Sequence, residues 1–313
     1  MRRMIGTATI TGAFAVGSLG ACLLIFGTGK LTLSDAATSA AANEPDLTAL
    51  PLGDAKVTRT SPQQGYLFVC PGPGGQAGAS VDGPWINAAA GTYNLLAKYI
   101  VDGSNDQAAA QFKAKMKKKL LKLKGNGLPT NHDTGNFPIS PSDDAYQVDR
   151  NPNTVRPQVI SEALKIKPRR AASPGCTSGG IIGIARNGVP FFNAGDAANE
   201  DAVAHEVQDA CSGHPQQAGQ YHYHGLPACL SYGSQSKHSK LIGWILDGFP
   251  IYGPIGNGGR YMRTSDLDEC HGHTHPVKYL GERMKLYHYH ATEEFPYTIG
   301  CYHGTGPASG PPG

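Results

Sequence analysis

Tyr221-His222-Tyr223-His224 and Tyr287-His288-Tyr289-His290 are two copies of one four-residue word. Alternation with a period of two, together with aromatic residues, predicts a β-strand for each copy. Because successive side chains of a strand point to opposite faces, each copy places its histidines on one face and its tyrosines on the other. The two imidazoles stand about 6.6 Å apart along the strand, close enough for both to ligate one metal ion at about 2.0–2.1 Å.

The two words belong to a longer internal repeat. The segment 182–192 recurs sixty residues later as 242–252, and each copy carries an Asn-Gly or Asp-Gly pair that favours a hairpin turn. Each half then continues with Asp-x-Cys-x-Gly-His (209–214 and 268–273), the YHYH word and a further cysteine. Four features in the same order predict a duplicated β-unit over 176–303 with an approximate twofold axis.

Composition points to the same fold class. With 313 residues and 40% hydrophobic content the chain can bury a full core. Gly 41, Pro 23 and only 16% charged residues are typical of a turn-rich protein, so we predict one mainly β domain with long loops and disulfides. A formal net charge of +3 is too small to indicate a nucleic-acid partner.

The sequence before the repeat suggests several further segments. We predict an export signal or anchor at 1–42, a polar linker at 43–56, an N-terminal part at 57–175, repeat units at 176–240 and 241–303, and a flexible tail at 304–313. Within the N-terminal part, Leu95–Val101 suggests strand, Ala108–Lys124 fits either helix or strand, and 125–175 suggests irregular structure wrapped on a sheet.

The first 42 residues resemble an export signal. Arg2 and Arg3 precede an apolar stretch from Ile5 to Phe26, and small residues follow at 36–42. Cleavage near 40–42, lipidation at Cys22 and retention as a membrane anchor are three alternatives. All three predict a protein located outside the cytoplasm, in contact with the membrane only through this segment.

The cysteines agree with export. Apart from Cys22 there are six, and an even number in an exported chain indicates disulfides. Because the cysteines of the two repeat units are equivalent, we predict the pairs Cys211–Cys229 and Cys270–Cys301, which leaves Cys70–Cys176.

A basic segment lies between Lys113 and Lys124, where seven residues are lysine. No acidic residue occurs from Gln107 to His132. One interpretation is a contact with an anionic polymer of the cell envelope, and the other is a solvated face without a partner.

The histidines indicate a metal site. Each unit has a Gly-His pair before its YHYH strand, so the predicted ligands are His214, His222 and His224 in the first unit and His273, His288 and His290 in the second. We expect the two triplets either to bind separate ions or to complete one shared centre. His271 and His275 are additional candidates, and Asp209 and Asp268 are candidates either to ligate or to accept the second ring N–H of a ligand. Imidazole suits several transition metals, of which we expect copper or zinc.

These motifs resemble those of the YHYH-domain proteins. The resemblance is carried by Gly219 to His224, by 246–253, by 287–297 and by the segment around Asn126–Pro138, and it extends over most of 57–303. It implies an exported or envelope-associated protein with suspected metal binding, and it adds His132 as a candidate ligand.

Three functions remain open at this point. A binding protein would hold copper or zinc at closed sites, whereas a hydrolase or oxidase would keep a coordination position open for water or substrate. The sequence shows no placed general base, since His205-Glu206 stands alone, and this favours binding. The third function is a structural cluster of histidine and tyrosine without metal.

Overall fold

Two short apolar segments, Ile181–Ala185 and Leu241–Ile245, form the centre of the largest sheet of this protein. Ile182, Ile184 and Ile245 are fully buried there, and β-branched residues pack well on a pleated surface. The structure is a computed structural model that describes residues 43–72, 78–79 and 81–307. The predicted export segment and Cys22 lie outside this range.

Strands dominate the described chain, with 33% of residues in strand and 7% in helix, which confirms a mainly β fold. The strands β1 to β18 are, in chain order, Leu50–Pro51, Val57–Thr58, Leu67–Phe68, Ile86–Asn87, Thr92–Tyr93, Phe112–Lys117, Leu120–Gly125, Ile160–Lys165, Arg170–Gly175, Ile181–Ala185, Pro190–Phe192, Gly213–Pro215, Tyr221–Tyr223, Leu241–Ile245, Pro250–Tyr252, Gly272–Tyr279, Glu282–His290 and Tyr302–Gly304. The α-helix α1 spans Ala202–His205, and short 3₁₀-helices span Leu95–Ala97, Asp144–Gln147, Asn257–Gly259 and Thr264–Asp266.

The largest sheet has eight strands in the order β12-β13-β11-β10-β14-β15-β17-β16. Each sequence repeat contributes four strands, and from each edge to the centre the equivalent strands of the two repeats follow in the same order. The central strands β10 and β14 pair antiparallel, with Ile184 opposite Trp244. The strand β11 runs parallel to β13, and β15 runs parallel to β17. Tyr221–Tyr223 of the first YHYH word and the whole of the second word therefore lie in strands at corresponding places in one sheet. That the two units superpose about a twofold axis stays a prediction.

The hairpin turns between β10 and β11 and between β14 and β15 are those that the sequence indicates. Gly188 and Gly248 adopt φ values of 93° and 96°. This left-handed region is accessible to glycine at no steric cost, whereas a side chain would be strained there.

Several expectations for the N-terminal part are wrong. The segment 43–56 is not a linker, because Leu50 and Leu52 are buried in the main core and β1 pairs with β5. Leu95–Val101 begins with a 3₁₀-helix that Asn94 caps through its side chain. The segment 125–175 is only partly irregular, since it includes β8 and β9. The predicted tail starts too early, because Gly304 ends β18.

The three predicted disulfides are confirmed. Cys70–Cys176, Cys211–Cys229 and Cys270–Cys301 are bonded, with Cα–Cα distances of 4.9, 4.9 and 4.5 Å. Because disulfides persist in oxidising compartments, these bonds suggest an extracytoplasmic location. Within the described ranges, no helix is both long enough and apolar enough to cross a membrane.

The basic segment forms a β-hairpin rather than a helix. Strand β6 pairs with β7, and β7 pairs with β8, so that Leu121 and Leu123 are buried on one face. The opposite face carries lysines that are mostly exposed, and we call it the lysine face: Lys113, Lys115, Lys117, Lys122, Lys124 and Lys165. Lys113 lies directly opposite Lys124, and Lys115 directly opposite Lys122. No ion pair with another described residue involves these six lysines.

Like charges that face each other across a strand pair destabilise a sheet. We therefore expect Lys115→Glu, which places a carboxylate opposite Lys122, to raise the free energy of unfolding by about 0.2–1 kcal/mol in urea denaturation. The matched control is Lys285→Glu, since Lys285 is also exposed on a strand but lies opposite Pro276. Equal stabilisation by both substitutions would contradict the assignment to the lysine pair.

Candidate metal centres

The tyrosines of the first YHYH strand are held by hydrogen bonds on one face of the sheet. Tyr221 Oη donates to both carboxylate oxygens of Asp209, at 2.9 and 2.8 Å, and Asn187 Nδ2 donates to Tyr223 Oη at 2.8 Å. Asp209 follows helix α1, and Asn187 lies in the β10–β11 turn. Two side chains of the same repeat unit, Asp209 and Asn187, therefore hold the two tyrosine hydroxyls of this strand.

The second YHYH strand is held in the same way. Tyr287 Oη donates to Asp268 at 2.9 Å, and Tyr289 Oη donates to Asp247 of the β14–β15 turn at 2.5 Å. Asp209 and Asp268 thus bind tyrosine hydroxyls and nearby backbone N–H groups. The prediction that they ligate metal, or orient a ligating histidine, is wrong.

The histidines project to the other face and converge. His214, His222 and His224 can each place a ring nitrogen within 4.8 Å of the others, and we call this group the first centre. His214 lies opposite His222 in the β12–β13 pair, and His222 Nε2 lies 2.9 Å from His224 Nε2. All three side chains are buried.

Five histidines form the second centre: His238, His273, His275, His288 and His290. Here His273 Nε2 lies 3.1 Å from His290 Nε2, and His238 Nε2 lies 3.4 Å from His288 Nε2. The structure thus brings together each predicted triplet and the candidate His275. It also adds His238, which sequence analysis missed because it lies in a loop outside both motifs.

Backbone carbonyls determine which ring nitrogen carries the proton. His222 Nδ1 lies 3.0 Å from Gln220 O, and His224 Nδ1 lies 2.5 Å from Asn193 O. A carbonyl only accepts hydrogen bonds, so each Nδ1 is protonated and, in the neutral ring, each Nε2 presents a lone pair. The carbonyls of Leu286, Gly253 and Ser239 assign the same tautomer to the second centre at His288, His290 and His238.

Lone pairs that face each other at such distances repel unless a cation lies between them. Two ligands at 2.0–2.1 Å from one tetrahedral metal ion stand about 3.3 Å apart, which is close to the observed spacings. A proton is the alternative cation, but burial opposes it. Desolvation lowers the pKa of His224 to about 4. Desolvation, and to a lesser extent the neighbouring His275 and His238, also lower the pKa of His273 to about 4. The donor set therefore fits a metal ion.

A carboxylate also borders the first centre. Glu206 Oε2 lies 3.5 Å from both His214 Nε2 and His224 Nε2. Burial raises the pKa of Glu206 well above its usual value. Among the described residues, Glu206 Oε2 and both ring nitrogens of buried His214 have no hydrogen-bond partner. Unpaired buried polar atoms are costly, and one cation would satisfy Glu206 Oε2 together with one ring nitrogen of His214. Sequence analysis places Glu206 in no catalytic motif, yet the structure brings it to the border of the first centre.

The remaining histidines lie elsewhere. His271 Nε2 contacts Thr292 Oγ1 at 3.0 Å, so this candidate ligand joins neither centre. His132 Nε2 contacts Tyr223 Oη at 2.7 Å on the tyrosine face, and the nearby Cys211 and Cys229 form a disulfide. His205 Nε2 pairs with Asp54 at 3.0 Å.

The two centres share no residue. Five strand spacings separate β13 from β17, which corresponds to about 24 Å along the sheet. The alternative of one shared metal centre is therefore wrong.

Comparison with known proteins agrees with the motif. Residues 163–260 match the family described as YHYH protein. The matched segment contains the first YHYH word and ends before the second, so it is shorter than the 57–303 range that the motifs predict. No curated protein and no solved structure matches the chain significantly.

The buried imidazoles predict a loss of stability in acid. His224 has a pKa of about 4 in the folded chain but about 6.5 when unfolded. The contribution of neutral His224 to the free energy of unfolding is complete above pH 6.5. It is lost as pH falls towards 4, because in that range only the unfolded chain binds the proton. In metal-free urea denaturation, the stability difference between wild type and His224→Gln should fall by about 1–2 kcal/mol from pH 7 to pH 5.

His205→Gln provides a control of opposite sign. Its hydrogen bond to Asp54 raises the pKa of His205 to about 9, so its contribution is present below pH 6.5 and is lost as pH rises towards 9. The stability difference for this variant should not fall between pH 7 and pH 5. If both differences changed alike, burial of His224 would not be the cause.

Proposed function

We propose that this chain, which carries a YHYH domain over residues 163–260, is an exported protein that binds copper or zinc ions at two histidine centres. The observation that carries the proposal is the convergence of unprotonated Nε2 atoms in two histidine clusters. Each Nδ1–H of the ligating pairs is held by a backbone carbonyl, which fixes both the tautomer and the ring orientation.

The donor atoms support copper or zinc. All six cysteines of the described chain form disulfides, so no thiolate is available, and imidazole nitrogens dominate both centres. Imidazole suits Zn(II) and Cu(II), whereas Mg(II) and Ca(II) prefer oxygen. The rival view, a structural His/Tyr cluster, accounts for the tyrosines but leaves facing lone pairs uncompensated at His222/His224, 2.9 Å apart, and at His238/His288, 3.4 Å apart.

We expect calorimetric titration at pH 7 to show two Cu(II) or Zn(II) ions per chain. The double substitution His222→Ala/His224→Ala should remove one ion and His288→Ala/His290→Ala the other, because each removes two donors of one centre. Since burial lowers the pKa of His224 to about 4, binding at the first centre should persist to about pH 5. The sequence alone predicts weakening already below about 6.5.

His271→Ala is the matched control, because His271 is equally buried but belongs to neither centre. It should retain both ions. Uptake of no ion by the wild type, or equal loss in the His271 variant, would contradict the proposal.

A metal-dependent hydrolase or oxidase is a second candidate function. The specific observation in its favour is a cavity of about 720 Å³ that reaches the first centre and Glu206. Such a cavity provides the access that a substrate needs.

The lysine face supports a separate proposal about a partner. We propose that it contacts an anionic polymer of the cell envelope, outside the cytoplasm. Like charges held opposite each other, without ion pairs to other described residues, are compensated when a polyanion lies across them. Lysine alternation spaces the charges by about 6.6 Å along the strand and about 5 Å between strands, which suits closely spaced phosphates or carboxylates.

Cosedimentation with poly(glycerol phosphate) tests this contact. The variant Lys115→Gln/Lys122→Gln/Lys124→Gln should bind at least tenfold more weakly than wild type, and wild-type binding should weaken with added salt. The control Lys240→Gln/Lys278→Gln/Lys285→Gln removes as many exposed lysines elsewhere. Equal losses in both variants, or binding to anionic lipid vesicles but not to the polymer, would contradict the proposal.

A further inference from the structure

The two centres differ at one equivalent position on their strands. His214 lies opposite His222 in the first, and His273 lies opposite His288 in the second, so the two registers correspond. Two residues further along, Gln216 directly follows β12, whereas β16 carries His275, which belongs to the second centre. Gln216 N–H donates to Gln220 O, just as His275 pairs with Leu286. The first centre therefore lacks one imidazole.

A second imidazole of the second centre, that of His238, also has no counterpart in the first centre. Ser178 precedes His238 by sixty residues, which is the spacing between Ile182 and Ile242 in the repeat. Ser178 and Gln216 both line the 720 Å³ cavity. Space is thus present at the first centre where the second centre has His238 and His275.

The cavity reaches the metal-binding groups of the first centre directly. Its wall includes His214, His222, His224 and Glu206. A cavity of about 850 Å³ beside the second centre is lined by His238 but by none of the other four histidines. The second centre is nevertheless the more exposed one, with three of its five histidines partly accessible. The centres therefore differ in the number of donors and in the cavity, not in simple exposure.

We propose that the first centre binds a small anionic molecule as an exchangeable ligand of its metal ion, whereas the second centre is saturated by its imidazoles. This inference rests on the proposed metal binding. The first centre offers three imidazoles, the number of protein ligands in a zinc site that keeps its fourth position open, and all three line the cavity. Sites of this kind, with few protein ligands and open access, admit an external ligand, and five imidazoles leave no such position.

The cavity wall carries charges of both signs. Arg59 and Arg150 line it, and both guanidinium groups already contact other protein groups. Three acidic residues line it as well: Glu206 of the first centre, and Asp149 and Asp196, whose oxygens accept backbone N–H bonds. A metal ion bound at the first centre adds the positive charge that favours an anionic ligand on the cavity side.

Azide is a suitable probe, because its binding to Cu(II) produces a charge-transfer absorption band and changes the electron paramagnetic resonance spectrum. Each centre is isolated by the double substitution that removes the other, His288→Ala/His290→Ala or His222→Ala/His224→Ala. Copper content is measured first. A chain without copper contradicts the proposed function, whereas copper that does not respond to azide contradicts only the present inference.

We expect azide to bind the isolated first centre and not the isolated second, and acetate to compete with it. Gln216→His in the isolated first centre should weaken azide binding at least tenfold, because an imidazole then occupies the cavity side. Gln217→His is the control, since Gln217 also lines the cavity but is more exposed. In the isolated second centre, His238→Ser/His275→Gln should create azide binding. Equal azide affinity at both centres, or no effect of Gln216→His, would overturn the inference.

Discussion

The hydrogen bonds of the four YHYH tyrosines determine where every other group of the two centres lies. Each hydroxyl is buried and is bound by an acidic or amide side chain from a turn or loop of the same repeat unit. An unpaired buried hydroxyl is costly, so the strands cannot slip by one residue without losing these bonds. The register that buries the tyrosines directs the histidines to the opposite face, where their Nε2 atoms meet.

The centres therefore depend on the sheet and its disulfides rather than on a flexible loop. Strands β12 and β13 hold the first centre, and β16 and β17 hold the second. The bonds Cys211–Cys229 and Cys270–Cys301 anchor the loop before each Gly-His strand. Donors on paired strands are positioned more rigidly than donors on loops, which favours tight metal binding. The exceptions, His238 and Glu206, are the donors that differ between the units.

Sequence periodicity and the repeat were sufficient to predict the two YHYH strands, the disulfides Cys211–Cys229 and Cys270–Cys301, and the residues of the two histidine triplets. A period of two defines a face, and matched cysteines in a repeat define their partners. Periodicity could not find Glu206 or His238, because both reach their centres through tertiary packing. It also misassigned Asp209 and Asp268, since spacing does not tell whether a carboxylate faces a histidine or a tyrosine. The prediction of a linker at 43–56 is wrong for a related reason. Two leucines of this polar segment are buried in the core because β1 pairs with β5.

Anomalous X-ray diffraction from crystals grown with Zn(II) or Cu(II) tests the central claim most directly. The account predicts two anomalous peaks per chain, one about 2.0–2.1 Å from the Nε2 atoms of His222 and His224 and the other at the same distance from those of His288 and His290. A structure without either peak, in which these Nε2 atoms instead bond to protein groups or to each other, would contradict it.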